Sequence, residues 1–171
     1  RLGWRLQGWV IDSDLRNRSV AVAAGRTGTT PANDQFATPA FGFGLNAAVR
    51  RSTAAREWEL GADLRGAEGE SRELFRFMGG AFTRSRIAGG ETLTGGLYAE
   101  ATRRTGPWLL TGGARLDVAA ASNGRRLERD LATGLPTLDQ RSDGRTDTVP
   151  TARAGLRRTF GDGLYARANA Y

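Results

Sequence analysis

The chain has 171 residues, no Cys, no His and 25 basic residues that are all Arg, with a formal charge of +7 and 39% apolar residues. Without Cys or His it has no disulfide framework, thiolate chemistry, Cys/His metal site or His-dependent triad, and no cofactor is expected. Its longest apolar runs cover only a few residues, such as 118–121, which excludes a transmembrane helix of about 20 apolar residues but not a membrane protein built from strands.

The chain opens on Arg1 rather than Met, and its first residues lack the apolar core of a signal peptide, so a processed or partial chain is expected. From there period-2 alternation dominates. Eight strands are expected, near 2–11, 15–24, 40–50, 55–65, 91–103, 107–120, 150–160 and 163–171. The second resists a two-faced reading, because Arg16 and Arg18 stand in line with Val20 and Val22. The third sets Phe41, Phe43, Leu45, Ala47 and Val49 against Gly42, Gly44, Asn46, Ala48 and Arg50. In the fourth, Trp58, Leu60, Ala62 and Leu64 oppose Glu57, Glu59, Asp63 and Arg65. Residues 73–78 also alternate and are read as a strand extension or structured loop, since no tight turns flank them. The fifth strand places Leu93, Gly95, Leu97, Ala99 and Ala101 opposite Thr92, Thr94, Gly96, Tyr98 and Glu100. The sixth places Trp108, Leu110, Gly112, Ala114, Leu116 and Val118 opposite Leu109, Thr111, Gly113, Arg115 and Asp117. The last sets Leu164, Ala166, Ala168 and Ala170 against Tyr165, Arg167, Asn169 and Tyr171. None of these apolar-face positions is charged, although charged residues make up 25% of the chain.

Tight links rich in turn formers are expected at 12–14, 51–54, 104–106 and 161–162, and three long segments, 25–39, 66–90 and 121–149, lie between them. Short and long connections in alternation are the organisation of an antiparallel transmembrane β-barrel, with short periplasmic turns and long extracellular loops. Trp9, Trp58, Trp108, Phe160 and Tyr165 fall near the short links, and Phe41 and Phe43 near the opposite end, as aromatics at two membrane interfaces would. Glu57, Glu59, Asp63, Arg65, Glu100, Arg115 and Asp117 are then lumen-facing. In 66–90, the interleaved Arg72, Phe75, Arg76, Phe77, Phe82, Arg84 and Arg86 suit an anionic, partly planar ligand through cation–π contacts and charge-assisted hydrogen bonds, and suit lipopolysaccharide contact or self-packing as well.

The run Gly89-Gly90-Glu91-Thr92-Leu93-Thr94-Gly95-Gly96-Leu97-Tyr98-Ala99-Glu100, the Pro107-Trp108 after a tight turn, and the Gly113-Ala114-Arg115-Leu116-Asp117 that follows resemble the barrel of TonB-dependent outer-membrane receptors. Glu59–Arg65, residues 82–90, and Gly155-Leu156-Arg157-Arg158 leading into Gly163-Leu164-Tyr165-Ala166-Arg167-Ala168 are similar in style, so the resemblance covers most of 40–171. It implies a location in the cell outer membrane and energised uptake of a scarce large solute such as a ferric siderophore. It also implies a plug domain within the barrel and, through that plug, the TonB energy-coupling protein as partner. The chain carries neither plug nor coupling motif, so 1–171 is expected to be one partial barrel domain of four hairpins, bounded by outer-membrane lipid, the rest of its own barrel and two unpaired edges.

Two other readings stay open: a small closed eight-stranded outer-membrane protein with a structural or adhesion role, and a soluble extracellular β-sandwich that binds carbohydrate. In the closed form, strand 1 would run inward and strand 8 outward, with both termini outside. No nucleic-acid partner is expected, because the Arg residues are spread along the chain rather than gathered in one groove. No enzyme is expected either, since Glu57 and Glu59 on one strand do not flank a cleft. Gly42-Phe43-Gly44 lacks the strand-to-helix setting of a phosphate loop.

Overall fold

The computed structural model describes residues 2–161 and 163–171. Apart from one 3-10 turn at Ala24–Arg26, its regular structure is strand: β1 (Leu2–Asp14), β2 (Asn17–Val22), β3 (Thr29–Ala37), β4 (Pro39–Ser52), β5 (Arg56–Met78), β6 (Ala81–Thr105), β7 (Trp108–Asp130), β8 (Pro136–Arg141), β9 (Arg145–Gly161) and β10 (Leu164–Ala170). All ten belong to one antiparallel sheet, whose main path is β1-β4-β5-β6-β7-β9-β10. This is the all-β, antiparallel class that the alternation predicts.

Several expectations need correction. There are ten strands rather than eight, they do not form four hairpins, and the sheet is open, with β1 and β10 at its edges. The sequence 12–14 is not a turn. Its residues stay extended at the end of β1, with Asp12, Ser13 and Asp14 opposite Phe41, Ala40 and Pro39, so β1 pairs with β4 and not with β2. The Asp14 carboxylate does accept a hydrogen bond from the Thr38 amide at 2.6 Å, which fixes the crossing from β3 into β4 rather than a hairpin. With that turn gone, β1 starts at the short-turn end, where Leu2 faces Arg51. That reverses the direction expected of it.

The three long segments are mostly strand as well. The 66–90 stretch is the upper part of a single β5–β6 hairpin, closed by Gly79 and Gly80. Both glycines have positive φ, 61° and 86°, so the turn that sequence reading did not find is a glycine pair. Residues 73–78 are therefore a strand extension. In 121–149, β7 continues to Asp130, and β8 and β9 descend one after the other along it. In 25–39, β3 pairs with β2 on one side and with the upper part of β5 on the other. Of the turn expected at 161–162, Asp162 lies outside the described residues.

Register sorts the side chains into two faces. Val49, Leu60 and Ala99 stand in one cross-strand row, and so do Leu45, Leu64 and Gly95, and Ala62, Leu97 and Leu116. These positions form an apolar face that no described residue covers: Leu60 is 53% exposed, Leu97 64% and Trp4, on the edge strand, 80%. Among the described residues only Ala48 and Leu127 are buried hydrophobics. A single-layer sheet has no interior of its own, and the apolar area it presents far exceeds what scattered surface side chains amount to.

Candidate functional site: the polar face

The opposite face gathers the charges. Its centre is Arg115 on β7, which reaches across β6 to β5. Arg115 Nη1 and Nη2 donate to the two carboxylate oxygens of Asp63 at 2.7 and 3.1 Å, and Nε and Nη2 donate to Asp117 at 2.8 and 2.6 Å. The planar guanidinium holds both carboxylates in forked geometry, which Lys would not do. Gly96 makes this reach possible: a side chain there would collide with Arg115 and with Asp117 Oδ1. Beside this hub, the Tyr98 hydroxyl donates to Glu59 at 2.6 Å, Arg5 lies 3.5 Å from the same carboxylate, and Arg153 pairs with Glu100. Tyr98 lies flat across Gly61, where any Cβ would strike its ring, and Trp9 covers Gly44 in the same way. Glycine at these strand positions is what brings large side chains down onto the sheet. A depression of about 430 Å³ is lined by Glu59, Tyr98, Glu100, Arg115, Arg153 and Tyr171.

A second hub sits nearer the β5–β6 turn, where Arg86 bridges Glu73 at 2.7 Å and Glu128 at 2.8 Å. Its guanidinium carbon stands 4.3 Å from the centroid of the Phe75 ring. Asn33 from β3 donates to Glu73 at 2.6 Å, and Arg126 to Glu128 at 2.6 Å. Burial alone would push the Glu128 carboxyl up, but hydrogen bonds from Arg126 and Arg86 outweigh it and hold the group below the usual carboxylate range. Close by, Asp130 is held low first by the Thr133 amide and then by Ala132, at the turn into β8. Asp139 is held low by the forked hydrogen bonds of Arg125.

Glu57, Glu59, Asp63, Arg65, Glu100, Arg115 and Asp117 thus share one face, opposite Leu60 and Leu97. The loop set is split. Arg86, Phe75 and Arg84 occupy the polar face, with Arg84 Nη1 3.4 Å from Asp130. Phe77 stacks edge-on with Phe82 at 5.3 Å. Arg72, in register with Ala37 and Ile87, lies on the other face and pairs with Glu70. Arg76 is a left-handed residue at φ 60°, its carbonyl accepting from the Thr83 hydroxyl, and interrupts the ladder near the turn. Sequence reading missed Arg5, Arg153, Asn33, Arg126 and Glu128 as members of these clusters, because each enters from a strand whose partner or register the sequence did not disclose.

The aromatics divide too. Trp58 and Trp108 lie on the apolar face near the short turns, and Phe41 and Phe43 lie on it near the other end. Trp9 is on the polar face, since its register partner is Gly44, and without the expected turn it does not stand at the short-turn end. Tyr165 is also there, with Arg157 5.4 Å from its ring centroid. No family model, curated protein or solved structure matches the chain.

Proposed function

We propose that this sheet is part of the transmembrane wall of a TonB-dependent outer-membrane receptor, its apolar face in lipid and its polar face toward a solute-conducting lumen. The observation that carries the membrane reading is an uncharged belt on the apolar face. On β5 that belt runs between Arg56 and Glu68, and on β6 between Glu91 and Arg103, with eleven residues inside each pair of charges. The bounding charges face one another in register, Arg56 with Arg103 and Glu68 with Glu91. A strand tilted in a bilayer needs about 9–11 residues to cross the hydrocarbon. The twelve steps from Arg56 to Glu68 cover roughly 40 Å at ~3.4 Å each, and a tilt of about 45° projects them to roughly 28 Å, against an apolar band of about 25 Å in such barrels.

A soluble sandwich would need a second sheet over the same face, and all ten strands here lie in one. The unpaired edges of β1 and β10 suit continuation by further strands of a larger barrel. The receptor function rests on the resemblance of residues 40–171, since the Arg86 guanidinium beside Phe75 is already held by Glu73 and Glu128. A plug domain and the TonB protein would be its partners. The test is fractionation and uptake by cells carrying the full chain. The protein should be recovered in the outer membrane, and uptake of a labelled ferric siderophore should stop when the inner-membrane proton gradient is collapsed. Recovery in the soluble fraction would overturn the membrane assignment. Uptake indifferent to the gradient, or none with any ferric chelate, would overturn the transport assignment.

A further inference from the structure

The two ends of the apolar face differ in their charges. Toward the β5–β6 turn, outward Arg residues share their face with carboxylates, as Arg18 with Asp34, Arg72 with Glu70 and Arg125 with Asp139, while Arg129 donates to the Gly134 carbonyl and Arg141 stands opposite Arg125. Toward the short turns the outward charges are Arg51, Arg56, Arg103 and Arg158, and at that end no described Asp or Glu lies on the same face. Glu57, the nearest carboxylate in sequence, belongs to the polar face, in register with Ser52 and Thr102. All four Arg residues are exposed, and none forms an ion pair with a described carboxylate.

Two further features point to an anion from outside the chain. Arg56 and Arg103 stand directly opposite one another on adjacent strands, a like-charge pair that destabilises a sheet unless something negative lies between them. Arg158 is held between two rings, its guanidinium carbon 5.1 Å from the Trp108 centroid and 4.9 Å from that of Phe160. Stacking on aromatic faces leaves the in-plane N–H edge of a guanidinium free, and that edge is the part that binds a phosphate in forked geometry. Trp58 and Trp108 mark the same height as the level of an interface.

We infer that Arg56, Arg103 and Arg158 form a binding band for the phosphate of anionic phospholipid headgroups in the leaflet on the short-turn side of the membrane. This rests on the membrane-wall reading above and adds a headgroup preference that the reading does not require. A neutral zwitterionic headgroup brings its own cation to the site and relieves the like-charge row less.

The experiment measures quenching of tryptophan fluorescence in the full chain, reconstituted in mixtures of unbrominated lipid with brominated phosphatidylglycerol or brominated phosphatidylcholine. Trp58, Trp108 and, on the edge strand, Trp4 report lipids on the outward face near this band, whereas Trp9 faces the polar side. Phosphatidylglycerol should associate more tightly on the order of fivefold, the factor corresponding to the ~1 kcal/mol that one basic residue gains beside an anionic surface. The preference should fall toward parity in Arg103→Gln/Arg158→Gln and persist in Arg129→Gln at the other end. Independently of any variant, it should shrink in ~0.5 M salt, where the Debye length drops to a few ångströms. Equal quenching by both lipids in the parent chain, or a preference that survives both the double variant and salt, would overturn the headgroup band and leave the membrane wall standing. Quenching by neither lipid would overturn the membrane wall itself.

Discussion

Strand β5 runs unbroken from Arg56 to Met78, yet its two halves follow different rules. Below Glu68 the outward positions are Trp58, Leu60, Ala62, Leu64 and Gly66, and the carboxylates Glu57, Glu59 and Asp63 all face the other way. Above it Glu70 and Arg72 are paired on the outward face while Glu73 joins Arg86 on the polar one, so both faces carry ions. Both halves pair antiparallel with β6 in one register, and twofold alternation holds as far as Phe75. The difference is in what the outward face meets. It changes at one height across the sheet, at Glu68, Glu91 and Ser122, as expected where a wall passes from hydrocarbon into water.

The sharpest way to break that comparison is a charge on the outward face. Leu60→Arg, in mid-belt, should cost about 2–4 kcal/mol in a lipid-folded sample, and Ile87→Arg, on the same face above the belt, about 0–1 kcal/mol. Urea titration of both variants in the same bilayer measures the difference. Equal costs would dissolve the distinction between the halves.

Glycine substitutions come next and separate the halves by what stands over each glycine. A Cβ at Gly61 strikes the Tyr98 ring, which can rotate away at the expense of its hydrogen bond to Glu59, whereas one at Gly89 strikes the backbone carbonyl of Gly69. Overpacking of this kind costs about 1–3 kcal/mol. Tyr98→Ala should recover much of the loss in Gly61→Ala, while no single side-chain truncation should rescue Gly89→Ala. A double-mutant cycle in the same urea assay decides it; additivity of Gly61→Ala with Tyr98→Ala would refute the account of Gly61 as a seat for the ring.

The two faces of β4 through β7 were legible in the sequence because pleating makes alternation a direct statement about faces, as in 57–65. The upper hairpins were not. A strand with ions on both faces, such as 69–72, loses the contrast that marks it, so Glu70 and Arg72 read as loop, while the alternating 73–78 read as a strand extension or structured loop. The turn at 12–14 was a false reading for a related reason: Asp and Ser favour turns locally, but thirteen consecutive pairings of β1 with β4 hold Asp12 and Ser13 extended. Of the polar clusters, members on adjacent, correctly aligned strands were visible in advance. Arg5 reached Glu59 only through the β1–β4 pairing, and Glu128 reached Arg86 only through the bulge at Asn123, whose φ is 56°.

The ion hubs themselves should yield a smaller effect. Both guanidinium groups are partly exposed, 29% for Arg115 and 27% for Arg86, so water shares in stabilising each charge. Truncating one carboxylate of either hub, as in Asp63→Asn or Glu73→Gln, should cost no more than about 1 kcal/mol. A loss several times larger for Asp63→Asn, in the same titration, would mean that the polar face of the belt is dry and packed against something else.

Acid should part the two halves most gently. Glu128, Asp130 and Asp139 all lie above the belt, and all three are held below their ordinary values by partners in the fold. A carboxyl whose folded value is depressed stabilises the fold above its unfolded value of about 4, and that contribution fades as pH falls through the lower folded value. Between neutrality and roughly pH 5 little should change. Below about pH 4, protonation of Asp130 removes the acceptor for the Ala132 and Thr133 amides, and protonation of Asp139 weakens its fork with Arg125. The turn between β7 and β8 should therefore open first. Protection of the amides at 131–135, taken against the intrinsic exchange rate at each pH, should fall on acidification while 57–67, whose ladder depends on no titrating acceptor, keeps its protection. Simultaneous loss in both segments would show that the sheet responds to acid as one unit, and that the boundary at Glu68 divides side chains but not stability.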